Sequence, residues 1–217
     1  SINNSDGVTA VSKSLKDETI NLFNITQEID IIPNFIDIDK YSKVKRNLYK
    51  SKLCQKGERL LIHTSNFRKV KRIQDVINVF CKINKEIPSK LIMIGDGPER
   101  ANIESLTRSL CSLRDVMFIG KILDVENVLH KADLFLLTSE KESFGLSALE
   151  AMASSVPVIS SNAGGLPELV KEGESGFTCD VGDINSMSEK AIKILDEKNL
   201  NNFKESAFNV ANNYDIN

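Results

Sequence analysis

Two carboxylates, Glu142 and Glu150, stand eight positions apart in the run Glu142-Ser143-Phe144-Gly145-Leu146-Ser147-Ala148-Leu149-Glu150. A carboxylate can accept from two neighbouring hydroxyls, so a pair of them on one ligand would read a ribose or a pyranose. Gly145 between them lets a ligand approach the backbone with no Cβ in the way. If a helix starts there, the amides of Phe144, Gly145 and Leu146 lie unpaired at the positive end of its dipole, facing an anion or sugar oxygens. The rival reading makes Glu142 a solvated loop charge and Glu150 a favourable acid near a helix start. On spacing alone the two readings balance. A second group is cationic: Arg68, Lys69, Lys71 and Arg72 within Ser65-Asn66-Phe67-Arg68-Lys69-Val70-Lys71-Arg72. Arginine gives forked bonds and lysine a point charge, which suits a diphosphate clamp. Taken by itself, a solvated basic loop is the simpler account of that run.

Both groups follow runs that read as buried strands. Leu134-Phe135-Leu136-Leu137 is a short apolar run between polar residues, and Ser147 to Ala153 is rich in helix formers. The basic loop follows Arg59-Leu60-Leu61-Ile62-His63-Thr64 and precedes a helix from Ile73 to Glu86. Each group thus falls in a loop at the carboxyl end of a strand, where open α/β sheets bind ligands. Further strands are read at 90–94, 116–119 and 156–160, alternating with helices at 98–110, 124–131, near Pro167, 183–196 and 200–213. This alternation predicts an α/β fold with a Rossmann-like, doubly wound parallel sheet. Gly95-Asp96-Gly97 lacks the third glycine of a dinucleotide fingerprint and reads as a tight turn, which disfavours a nicotinamide dehydrogenase. Gly164-Gly165 reads as close helix–strand packing. Near the amino end, Val8 to Val11 reads as a strand, Ser12 as the cap of a helix over 13–23, and 29–37 as extended chain broken by Pro33. Residues 41–56 are charged and read as a surface helix.

The longer wording around the glutamates, Ser139-Glu140-Lys141-Glu142-Ser143-Phe144-Gly145-Leu146, then Glu150-Ala151-Met152-Ala153, Val156-Pro157-Val158-Ile159 and Gly164-Gly165-Leu166-Pro167-Glu168, resembles retaining glycosyltransferases of family four. The resemblance implies the donor-binding half of a GT-B fold. It implies that Glu142 contacts the hydroxyls of the transferred sugar, orienting it rather than attacking it, and that Glu150 contacts the ribose. Hydrolysis by a carboxylate pair is the physical alternative. It also implies donor contacts from Ser143, Phe144, Gly145 and Leu146, base contacts from the backbone of Lys121 and Ile122, and phosphate contacts from Arg68 and Lys71. Lys71 matches the family's lysine, whereas Asn66 stands where the family carries arginine; Arg68, two residues on, is the candidate substitute. The basic loop as a whole is similar to that of members transferring N-acetylglucosamine from UDP to L-malate at the start of bacillithiol formation. The resemblance implies a UDP-sugar donor, no cofactor and no metal. By the same resemblance, residues 1–32 are the tail of an acceptor domain and the crossing from it, 33–199 the donor domain, and 200–217 a terminal helix crossing back. The acceptor, malate favoured, would then be bound mainly outside this chain, which does not begin with methionine and reads as a fragment. A lipid or polysaccharide acceptor, or a module that only binds the donor, remain alternatives. Homodimerisation of the full-length protein is a further possibility.

Composition narrows the classes. A net charge of −2 and a pI of 5.8 leave no general basic footprint for nucleic acid. No apolar run is long enough to span a bilayer, and no leader pattern opens the chain, which points to a cytoplasmic location. The 4 cysteines are scattered without a C-x-x-C pair or Cys/His cluster, so they read as small buried apolar groups in a reducing compartment. His63 and His130 are isolated and read as packing or surface residues.

Overall fold

The structure, a computed structural model, describes residues 2–42, 53–110 and 113–217. Six parallel strands form the main sheet: β3 (Arg59–Thr64), β4 (Ser89–Ile94), β5 (Val116–Gly120), β6 (Leu134–Leu137), β7 (Val158–Ser161) and β8 (Gly176–Cys179). Their spatial order is β5-β4-β3-β6-β7-β8. The order runs outward in both directions from β3 and β6, the doubly wound arrangement with its switch point between those two strands. A separate two-stranded sheet pairs β1 (Thr9–Ala10) with β2 (Asp30–Ile31).

Alternation along the strands builds two cores, because successive side chains point to opposite faces. Leu60, Ile62, Phe135 and Leu137 fall in one buried cluster, while Leu61, Leu134 and Leu136 fall in the other. A strand buried on both faces must be apolar throughout, and this is why β6 reads as a continuous apolar run. Helix α3 (Ile73–Glu86) covers the second face with Ile73, Val76, Ile77, Phe80 and Ile83, a helical spacing. Helix α6 (Leu146–Ala153) lies on the first face. The remaining helices are α1 (Lys13–Phe23), α2 (Ile38–Ser42), α4 (Arg100–Leu110), α5 (Glu126–Leu129), α7 (Leu166–Leu169), α8 (Ile184–Leu195) and α9 (Glu197–Ala211).

Several boundaries differ from those read in the sequence, each for a local reason. Helix α4 starts at Arg100 rather than Pro98, because the Glu99 amide donates to the Phe67 carbonyl at 2.9 Å and residues 98–99 form a turn. Helix α9 starts at Glu197 rather than Leu200, capped by Asp196, whose carboxylate accepts from the Lys198 amide at 2.9 Å. The expected surface helix over 41–56 largely lies outside the described residues; Tyr41 and Ser42 close α2. Cys54 and Cys179 are buried thiols as expected. Cys81 is instead disulfide-bonded, which corrects its reading as a reduced apolar group; Cys111 lies outside the described residues.

The carboxyl-terminal segment is tied to Ile36. Ile36 donates to the Tyr214 carbonyl at 2.8 Å and accepts from the Ile216 amide at 3.0 Å, and α9 packs on α6. Among the described residues no helix is long and apolar enough to cross a membrane.

Candidate functional site

The loops after β3 and β6 meet at the switch point and are stitched together. The buried Thr138 hydroxyl donates to the carbonyls of Lys71, at 3.2 Å, and Arg72, at 3.0 Å. The Glu140 amide donates to the Val70 carbonyl at 2.8 Å. Arg72 takes a left-handed backbone, φ 47°, between a single 3₁₀ turn over Lys69–Lys71 and α3. Its Nε donates to Asp75 Oδ2 at 2.6 Å, which fixes the bend. Below the loops, the Nδ1 of buried His63 lies 2.8 Å from the Leu136 carbonyl and its Nε2 2.7 Å from Ser65 Oγ. A carbonyl only accepts, so Nδ1 carries the proton and the Ser65 hydroxyl donates to Nε2. Burial holds the imidazole at a pKa of about 4, so it is a neutral strut joining β3 to β6.

This stitching brings Lys71 to Glu142. Their Nζ and Oε2 lie 2.7 Å apart, and the Ser139 hydroxyl donates to the same oxygen at 3.3 Å. The carboxylate is carried by a loop that two glycines clamp from above. At Gly164, φ is +56° and a Cβ would stand 1.8 Å from the Glu142 carbonyl oxygen. At Gly165 a Cβ would meet the Ser143 carbonyl oxygen at 2.6 Å, while the Gly165 amide donates to Glu142 O at 3.0 Å. These glycines therefore seat the site loop; the reading of helix–strand packing is corrected to loop–loop packing.

Gly145, φ +101°, caps α6, and a Cβ there would run into Leu166 Cδ2 at 2.6 Å. Among the described residues, no carbonyl or side chain accepts from the amides of Phe144, Gly145 or Leu146. Helix geometry leaves the first amides of a helix without internal partners, so they remain available to an incoming oxygen. The Phe144 side chain is buried edge-on against Tyr214, with ring centroids 5.7 Å apart, and Phe67 is fully buried; both pack.

A cavity of ≈ 480 Å³ opens over this pair, lined in part by Lys71, Glu142, Ser143 and Gly164, and on its far wall by Ser14 and Glu18 of α1. Its size suits a small ligand. Sequence reading missed the α1 wall. The Ser12 hydroxyl donates to the Ser143 carbonyl at 2.6 Å and accepts from the Leu15 amide at 3.1 Å, so one hydroxyl caps α1 and ties it to the site loop. The Glu168 carboxylate accepts from the amides of Lys13, at 2.9 Å, and Ser14, at 2.7 Å. The visible signal was the Ser12 cap; its second bond, 131 residues away, leaves no spacing to read.

The other expected residues lie apart from this pair. Glu150, in the second turn of α6, takes a hydrogen bond from the Tyr41 hydroxyl at 3.1 Å. Burial raises its pKa above the usual carboxylate value, against the lowering effects of Tyr41 and Lys40. Arg68 is exposed and makes no side-chain hydrogen bond or ion pair among the described residues. Lys121 is exposed and Ile122 half-buried against the first core, just beyond β5 at the edge of the sheet.

The charged pair stands at the switch point of the doubly wound sheet, where open α/β sheets bind ligands. Solved structures agree on the fold. That of Anabaena Alr3699/HepE in complex with UDP-glucose superposes with a TM-score of 0.87 at 24% identity, over 98% of this chain and 61% of that one. Sucrose-phosphate synthase from Thermosynechococcus elongatus gives 0.83 at 23%, over 98% of this chain and 55% of that one. Residues 44–210 match the family of glycosyl transferases group 1, and the chain belongs to that family. It is 45% identical to N-acetyl-alpha-D-glucosaminyl L-malate synthase of Bacillus anthracis over 200 residues, 92% of this chain and 52% of that protein. It is 30% identical to glycogen synthase of Mycobacterium tuberculosis over 90% of this chain and 47% of that one. The chain thus spans about half the length of the curated relatives it matches.

Proposed function

We propose that this chain is the donor-binding domain of a retaining glycosyltransferase that holds a UDP-sugar over the switch point. The observation that carries this is the Lys71–Glu142 pair, 2.7 Å apart, with Glu142 on the loop leading into amides at the start of α6 that have no acceptor among the described residues. A diphosphate leaving group gains negative charge as the glycosidic bond breaks. Lys71, Arg68 and the amides of Phe144, Gly145 and Leu146 are the groups to stabilise it, acting where charge develops. Glu142 then serves two purposes: it holds the Lys71 ammonium in place before the donor arrives, and its second oxygen faces the sugar hydroxyls. Glu150 reads the ribose, and the backbone at Lys121 and Ile122 reads the base. The cationic partners we assign to the diphosphate are the side chains of Lys71 and Arg68, which lie on the loop after β3.

The favoured reaction is transfer of N-acetylglucosamine from UDP to L-malate with retention, supported by the 45% identity to the malate synthase. We assign it to the full-length protein, with residues 1–32 and 200–217 marking the passage between two domains. That division is supported by the separate β1–β2 sheet and by the pairing of Ile36 with Tyr214 to Ile216. For the chain alone, binding without turnover is the second reading, favoured by its span of about half the relatives' length. Calorimetric titration with UDP, and an acceptor screen of the full-length protein with UDP-N-acetylglucosamine, test both levels. Binding of UDP and transfer to L-malate are expected. A chain that does not bind UDP contradicts the domain assignment, and preference for a lipid or polysaccharide acceptor contradicts only the malate reading.

A further inference from the structure

Glu150 sits apart from the Lys71–Glu142 pair, on α6. Helix α2 lays Tyr41 against α6, and the Tyr41 side chain is buried at 6% exposure. Its hydroxyl donates to Glu150 Oε1 at 3.1 Å. Burial and the carboxylates around it raise the tyrosine pKa, so the hydroxyl stays a donor throughout the physiological range. Three further charges, Asp37, Lys40 and Glu126, act on this pair. Lys40 lies 3.6 Å from Glu126 Oε2 and attracts Glu150, while buried Glu126 repels it. That Lys40–Glu126 contact is too long for a hydrogen bond, and Glu126 Oε2 has none among the described residues. The second oxygen of Glu150 has no hydrogen-bond donor among the described residues and is not one of the sealed, unpartnered atoms. The carboxylate is thus tethered by one oxygen and open at the other.

We propose that Tyr41 is a positioning residue for the donor's ribose: by holding Oε1 of Glu150, it fixes the carboxylate so that Oε2 faces the vicinal ribose hydroxyls. A glutamate has three rotatable bonds, and an untethered one must be ordered when the ligand binds. A tether on one oxygen removes that cost and leaves the acceptor capacity of the other untouched. The proposal rests on the ribose role given above to Glu150, and its test separates the two.

The 217-residue chain, its Tyr41→Phe variant and its Glu150→Gln variant are titrated with UDP and with 2′,3′-dideoxy-UDP. Phenylalanine keeps the ring packing and removes only the hydroxyl. Tyr41→Phe is expected to weaken UDP roughly fivefold and leave dideoxy-UDP unchanged, shrinking the preference between them by the same factor. An unchanged preference, or equal weakening of both ligands, overturns the proposal, since a merely structural tyrosine moves both alike. Glu150→Gln locates the failure. If it abolishes the preference while Tyr41→Phe keeps it, Tyr41 alone is misassigned. If Glu150→Gln also keeps the preference, the ribose role of Glu150 falls and the tyrosine's role falls with it.

Discussion

Glu142 and Glu150 are the same residue type on either side of one helix start, and the fold surrounds them in opposite ways. Glu142 rides a loop, meets a cation at 2.7 Å, and lines an open cavity. Glu150 is fixed in a helix, meets a neutral hydroxyl at 3.1 Å, and has its pKa raised by burial. Lys71 and the Ser139 hydroxyl both engage Oε2 of Glu142, which leaves Oε1 for a ligand hydroxyl at the cavity. A half-buried charge tethered by one hydroxyl, with no other donor among the described residues, responds to ligand hydroxyls. Environment, more than residue type, therefore divides one ligand between the two glutamates.

The largest expected effect breaks the Glu142 side of that comparison without touching a charge. Gly164→Ala would drive a Cβ to 1.8 Å from the Glu142 carbonyl oxygen at a left-handed backbone position. It should lower stability by about 2–4 kcal/mol, or displace the loop that carries Glu142. Chemical denaturation that shows wild-type stability together with wild-type UDP affinity would mean that the glycine does not hold the loop. Next in size, Lys71→Ala should weaken UDP by roughly 1.5–3 kcal/mol, the scale of a charge-assisted hydrogen bond, and weaken uridine far less. Equal losses for both ligands in calorimetry would remove the loop from the diphosphate.

The smallest effect concerns the Glu150 side. The folded chain holds the Glu150 proton more tightly than the unfolded chain. Between the ordinary carboxylate pKa and the raised one, the folded state therefore binds more protons, and stability falls as pH rises through that window. Glu150→Gln removes this loss. Its Tm should match wild type near about pH 4 and exceed it increasingly toward neutrality. A constant difference across that range would mean that burial does not penalise the Glu150 charge.

Much of the site was legible in the sequence because it is local. The apolar run Leu134 to Leu137, Gly145 and the helix formers after it place Glu142 and Glu150 around one strand–loop–helix unit, which the structure reproduces. The basic loop was legible as charge, and Lys71 reaches the pair while Arg68 remains in solvent. What the sequence hid is long-range. Ser12 meets Ser143 across 131 residues and Tyr41 meets Glu150 across 109. Hydroxyl hydrogen bonds of that kind impose no spacing or composition on the chain. The glycine pair was visible, but only the folded backbone shows that its neighbour is the Glu142 loop.

The central claim, that the two glutamates read different parts of one donor, is tested most directly by titrating Glu142→Gln and Glu150→Gln with UDP and with UDP-N-acetylglucosamine. Glutamine keeps the shape and one acceptor but removes the charge that strengthens a hydroxyl hydrogen bond. Glu150→Gln is expected to weaken both ligands alike. Glu142→Gln is expected to spare UDP, weaken UDP-N-acetylglucosamine and slow transfer in the full-length protein. Loss of UDP in Glu142→Gln as severe as in Glu150→Gln, or no loss in either, would contradict the account.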